Sequence, residues 1–113
     1  MTDTEYSDLN LQDNDGNTAL IWAAAYGCTS IVKMLTDAKA DLNVQDNDGC
    51  TALIRAANKG HESVVKILVD AKADLNVQNN YGCTALIRAA VNGHEPVVKI
   101  LVDAKADLNV QNN

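Results

Sequence analysis

The segment Asp48-Gly49-Cys50-Thr51-Ala52-Leu53-Ile54-Arg55-Ala56-Ala57 returns 33 positions later as Tyr81-Gly82-Cys83-Thr84-Ala85-Leu86-Ile87-Arg88-Ala89-Ala90. An earlier copy runs Asp15-Gly16-Asn17-Thr18-Ala19-Leu20-Ile21-Trp22-Ala23-Ala24. A fixed period of this length permits few architectures. Each unit is too small to bury a core alone, so the units must stack, each touching only its neighbours. Asp46 to Gln78 and Asn79 to Gln111 agree at 28 of 33 positions, and Asp13 to Gln45 agrees with the second unit at 24 of 33. Asp8 to Gln12 repeats Asp41 to Gln45, the tail of a partial unit, and Met1 to Ser7 stand outside the pattern. The expected organisation is an N-terminal segment with that tail over 1–12, units over 13–45 and 46–78, and a third unit with the start of another loop over 79–113.

Composition narrows the function classes. A formal charge of −6 opposes general nucleic-acid binding, which needs clustered Lys and Arg to neutralise phosphates. No apolar run approaches the roughly 18 residues of a membrane span. The opening Met1-Thr2-Asp3-Thr4-Glu5 is acidic and lacks the apolar stretch of a secretory leader. Cys28, Cys50 and Cys83 are odd in number and form no C-x-x-C pair. Stacked helical units lie about 8–10 Å apart, beyond the roughly 7 Å between Cα atoms that a disulfide tolerates. Free thiols are therefore expected, with an intracellular, cytoplasmic location.

Within one unit, Asp46-Asn47-Asp48-Gly49 has the chemistry of a tight turn. Thr51 is placed to cap a short helix through its hydroxyl. Leu53, Ile54, Ala56 and Ala57 follow at helical spacing, the alanines allowing close approach of neighbouring helices, and Gly60 ends the helix. A second helix is expected from His61 or Glu62, with Val64, Val65, Ile67 and Leu68 as its apolar stripe. Pro96 suits that boundary, because proline is tolerated in a first helical turn and not in an interior. Asp74-Leu75-Asn76-Val77-Gln78 then extends toward the next turn.

Gly49, Thr51, Leu53, Ala56-Ala57, Gly60-His61, and Ala73-Asp74 with Asn76 together resemble the ankyrin repeat family, over Asp8 to Asn113. The resemblance implies an all-α ankyrin-repeat α-solenoid of stacked helix-turn-helix units with short β-hairpin loops. It also implies a protein-binding scaffold with a concave groove and loop fingers. Three departures stand out. The family's T-P-L-H is T-A-L-I in every unit, the glycine that usually ends the second helix is Lys39, Lys72 or Lys105, and Cys28 replaces the histidine seen at 61 and 94. A lysine in left-handed geometry costs about 1–2 kcal/mol, so that geometry is expected to be strained or slightly altered there.

Catalytic and metal readings fare poorly. His61 and His94 have no second ligand at i+4, and a helix-start histidine bonded to backbone explains them. Asp13, Asp15, Asp46 and Asp48 are spread over two loops, and the third unit has Asn79 and Tyr81 instead. They read as solvated turn residues, not a calcium site. With no nucleophile–base pair and no phosphate-cradling glycine loop, the chain is expected to be a non-enzyme without cofactor or metal. Lys33, Lys66 and Lys99, each four residues before an aspartate, describe a solvated outer face.

Function is therefore sought where the units differ. Second and third units diverge only at 46/79, 48/81, 58/91, 59/92 and 63/96, mostly on the loop or at the end of the first helix. Partner contacts are expected from Asp15, Asp48 and Tyr81 on the fingers. Others come from Tyr26, Asn58, Lys59 and Asn92 at the ends of first helices, and from Trp22, Arg55 and Arg88 at one repeated position. Trp22 and the two arginines are expected to form a ladder, Trp22 stacking on Arg55 for about 0.5–1 kcal/mol. Asn10, Asn43, Asn76 and Asn109 match the loop asparagine that is hydroxylated in some ankyrin proteins, although turn hydrogen bonding explains them. The partner is a protein, with no role for nucleic acid or membrane. End-to-end self-association through the third unit is also expected, because its second helix keeps Val97, Val98, Ile100 and Leu101 with no polar substitution. The near-identity of the second and third units leaves a structural spacer, or a designed or excised repeat fragment without a natural ligand, as the alternative.

Overall fold

The computed structural model describes residues 8–108. A 3₁₀ turn at Asp8–Asn10 precedes six helices: α1 (Ala19–Ala25), α2 (Thr29–Asp37), α3 (Ala52–Lys59), α4 (Glu62–Asp70), α5 (Ala85–Val91) and α6 (Glu95–Asp103). They form two layers. The first helices pack α1 on α3 on α5, and the second helices pack α2 on α4 on α6, in a body of 42 × 25 × 21 Å. The start of another loop expected at the end of 79–113, and the segment before Asp8, lie outside the described residues.

Each first helix starts on a threonine with extended backbone. The Oγ1 atoms of Thr18, Thr51 and Thr84 accept the amides of Ile21, Ile54 and Ile87 at 3.1, 3.2 and 3.2 Å. All three threonines are buried, and the capped Ile21 and Ile54 amides lie buried with them, with no water to fall back on. Each first helix closes on a glycine at positive φ, with the Gly60 amide donating to the Ala57 carbonyl and the His61 amide to Ala56. The second helices close by the same pair of bonds, but on lysine. Lys72 donates to Val69 and Ala73 to Leu68, both at 3.0 Å, and φ at Lys39, Lys72 and Lys105 is 68, 73 and 71°. The left-handed lysines expected from the sequence are present in all three repeats.

The core runs the length of the stack. Leu20, Leu53, Val64, Val65, Leu68, Val97 and Leu101 are essentially inaccessible, as are Ala24, Ala56, Ala57 and Ala89. Polar joints repeat with the same period. The side chains of Gln12 and Gln45 donate to the carbonyls of Gln45 and Gln78, at 3.0 and 3.2 Å. The Oδ1 atoms of Asn10, Asn43 and Asn76 accept the amides of Asp41, Asp74 and Asp107 in the following unit. That role accounts for these three asparagines without modification; Asn109 is outside the described residues.

His61 and His94 bond to backbone, but across the repeat boundary. Their Nε2 atoms lie 3.0 Å from the carbonyls of Ala25 and Asn58; a carbonyl only accepts, so Nε2 carries the proton. Each ring rests on the glycine of the preceding repeat, and a Cβ on Gly60 would meet His94 Nδ1 at 2.6 Å. The loops between repeats are turns. Asp46 donates to Cys50 at 2.9 Å and Gly49 to Asp46 at 2.8 Å, and no strand forms among the described residues. Lys33–Asp37 and Lys99–Asp103 pair at 3.2 and 3.5 Å on the exposed outer face, where such pairs add little. At the far end Ala90, Val91 and Val102 are exposed, whereas Ala57, the equivalent of Ala90, is covered by α5 and its neighbours.

Candidate functional site

The loops and the first helices share one face, and one residue sets its geometry in each repeat. At position 13/46/79 the side-chain Oδ1 accepts two amides of its own loop. For Asp46 these are Asp48 and Cys50 at 3.0 and 2.9 Å, and for Asn79 they are Tyr81 and Cys83 at 2.9 and 3.0 Å. Either Asp or Asn makes this turn. They differ in the remaining atom, which is an acceptor in aspartate and an NH₂ donor in asparagine.

That difference decides where the residue nine positions on will point. The Trp22 indole donates to Asp13 Oδ2 at 2.8 Å. Arg55 sets both Nε and Nη2 on Asp46 Oδ2, at 3.0 and 2.7 Å, and Nη2 also reaches Asp48 Oδ2 at 3.1 Å. Asn79 offers Arg88 no such acceptor; its Nδ2 points instead to Cys50 Sγ at 3.5 Å. Arg88 turns to the preceding repeat and donates through Nε to Asn58 Oδ1 at 3.0 Å. Asn58 is a junction, taking Asn92 Nδ2 on Oδ1 at 2.7 Å and His94 on its carbonyl.

The expected Trp22–Arg55–Arg88 ladder is not formed. Trp22 stacks on Tyr26 of its own helix, with ring centroids 5.6 Å apart and planes 6° from parallel. Arg55 is drawn to the acids of its own loop, since a charge-assisted pair with a buried carboxylate outweighs an exposed cation–π contact.

Two hollows open between successive first helices. The first, about 230 Å³, is bounded by Ile21, Trp22, Tyr26, Arg55 and Lys59. The second, about 240 Å³, is bounded by Ile54, Arg55, Asn58, Tyr81 and Arg88, with Asp48, Cys50, Asn79 and Cys83 on its wall. Arg55 stands between them. The structure thus gathers Trp22, Tyr26, Asp48, Arg55, Asn58, Lys59, Tyr81 and Arg88 around two adjacent cavities. Asp15 remains apart on the first finger, where its carbonyl accepts the Asn47 amide at 3.0 Å, and Asn92 serves the junction at Asn58. Tyr26 and Tyr81 are about 70 and 69% exposed, the most accessible aromatic surface on this face.

The sequence reading left Asp13, Asp46, Asn79 and Cys50 out of the site. The signal for the first three was the constant nine-residue offset from Trp22, Arg55 and Arg88, together with the Asp-to-Asn change at 79. Asp13 is held below the ordinary carboxylate range by the Asn17 amide and then the Trp22 indole. Burial pushes the Cys50 thiol up, against the lowering effects of Asn79 and Arg55, so it stays protonated and is a poor nucleophile. None of the three cysteines is in a disulfide. Among the described residues no cluster of His, Cys, Asp or Glu is placed to hold a metal ion, and no helix is long and apolar enough to cross a membrane.

Comparison with protein-family models matches residues 38–112 to ankyrin repeats (3 copies) and residues 5–56 to ankyrin repeats (many copies). No curated protein matches the chain.

Proposed function

Since this chain belongs to the ankyrin repeat family, whose members generally bind other proteins without catalysis, we propose that it grips a partner protein in the groove and along the loop fingers. The observation that carries this is the pair of adjacent hollows, each rimmed by a highly exposed tyrosine and joined at Arg55. Aromatic and arginine side chains supply most of the energy at such interfaces. Tyr26, Tyr81 and Trp22 are the anchors. Asp15, Asp48 and Lys59 contribute at the rim, while Asn58 and Asn92 hold the groove wall in shape. The location assigned is intracellular, where Cys28, Cys50 and Cys83 stay reduced.

The test is capture of partners on immobilised protein, with Tyr26→Ala and Tyr81→Ala compared against Lys66→Ala on the outer layer. A partner lost with either tyrosine and kept with the lysine variant supports a binding groove. No partner, or one indifferent to both tyrosines, supports the spacer or designed fragment instead, which the 28-of-33 identity of the last two repeats favours. Self-association is assigned to the face of Ala90, Val98 and Val102, whose counterparts Ala57, Val65 and Val69 face the next repeat. A mass by light scattering that stays monomeric at high concentration would refute it.

A further inference from the structure

Arg55 and Arg88 occupy the same position in two nearly identical repeats, yet their electrostatic surroundings are opposite. Arg55 meets two aspartates: Asp46, whose side chain is 1% exposed, at 2.7 Å, and Asp48 at 3.1 Å. In the next repeat those acids are replaced by Asn79 and Tyr81, two of only five differences between the units. Among the described residues Arg88 has no carboxylate partner. Among the described residues its guanidinium makes one hydrogen bond, through Nε to the neutral Asn58 Oδ1, and the side chain lines the hollow of about 240 Å³.

From this, and resting on the groove reading above, we propose that the hollow between the second and third repeats takes the carboxylate of an acidic side chain, Asp or Glu, from the partner polypeptide. Arg55 provides the template. A guest carboxylate at Arg88 plays the part that Asp46 and Asp48 play one repeat earlier, with Tyr81 beside it at the position that an aspartate holds in the second repeat. Guanidinium donors suit a carboxylate because planar N–H groups match its two oxygens. The hollow also contains Asp48, but Arg55 holds that carboxylate, leaving Arg88 as the uncompensated charge. The overall charge of −6 opposes attraction of acidic partners at long range. Recognition is therefore local, of one or two carboxylates, and not of an acidic tract.

The chain has only two arginines, so NMR of the arginine Nε–H groups reads this site directly. The probes are acetyl-Ala-Glu-Ala-amide and its Gln counterpart. The Glu peptide is expected to shift the Arg88 signal saturably, leave Arg55 in place, and bind about tenfold more tightly than the Gln peptide. In Asn79→Asp/Tyr81→Asp, Arg88 is expected to move toward the Arg55 shift and lose its response to the Glu peptide, with the helical circular dichroism unchanged. An Arg88 signal that ignores the Glu peptide, or that answers Glu and Gln alike, overturns the proposal. If Arg88 is silent while Tyr26→Ala still loses a captured partner, the binding groove stands and the carboxylate site falls. If Arg88 responds while every captured partner is indifferent to the groove, Arg88 binds carboxylate but the groove reading falls, and with it the assignment of that carboxylate to a partner.

Discussion

The three left-handed lysines make the stability of this stack improvable at positions that touch nothing in the core. Lys39, Lys72 and Lys105 each have φ near 70°, are exposed, and close their helices with backbone bonds that any residue can supply. Left-handed geometry costs an L-residue about 1–2 kcal/mol. Glycine removes that strain, but its greater freedom in the unfolded chain offsets about 0.4–1 kcal/mol. Removing a cation from the carbonyl end of the helix takes away roughly 0.3 kcal/mol more. The remainder is about 0.5 kcal/mol per site, or about 1.5 for Lys39→Gly/Lys72→Gly/Lys105→Gly, because the sites share no partner. In a domain this size that raises Tm by about 6 °C. Urea unfolding with an unchanged m-value and thermal melting by circular dichroism measure it. Alanine at the same positions keeps the strain and loses the charge, so it is expected slightly below the wild type. If alanine equals or exceeds glycine, backbone strain is not the controlling quantity and the reasoning fails.

Three other outcomes follow from the geometry. Gly60→Ala places its Cβ 2.6 Å from His94 Nδ1, whereas Gly93→Ala meets nothing within 4 Å. Both carry the cost of positive φ, so the Gly60 variant is expected to lose at least about 1 kcal/mol more, and equal losses in denaturant titrations would count against the ring-on-glycine contact. Thr51→Ala leaves the buried Ile54 amide unpaired and is expected to cost about 1 kcal/mol, with Thr51→Ser recovering most of it; a Ser variant no better than Ala would exclude the hydroxyl cap. Asp13 has a lowered pKa in the folded state, so its contribution is present above the unfolded value, about pH 4, and is lost as pH falls through the lower folded value. Trp22 emission should report that loss with a midpoint below about pH 4, and Asp13→Asn should abolish the step; a step that survives the substitution comes from another group.

Much of the fold was legible because it is local. Thr51 before an apolar run, Gly60 after it, and Pro96 at a helix start each act through their own backbone, so their roles are visible in one dimension. The loop asparagines and the repeat histidines were harder, because Asn43 and His94 act on neighbours 31 and 36 residues away. The tryptophan–arginine ladder failed for a related reason. Periodicity correctly put Trp22, Arg55 and Arg88 on one row, but rows do not say which way a long side chain turns. That choice was made by the acceptors within reach, Asp13, Asp46 with Asp48, and Asn58.

By itself, then, the sequence determined the stack, its register and the helix boundaries, since a 33-residue period repeats every local signal in the same place. The tertiary structure alone decided the character of the face carried by the loops and first helices. An aspartate oxygen accepts from a guanidinium and an asparagine NH₂ does not, so one changed atom at 79 sends Arg88 across the repeat boundary. Two arginines identical in the sequence pattern thereby become, in space, one paired with two aspartates and one bonded to a neutral amide.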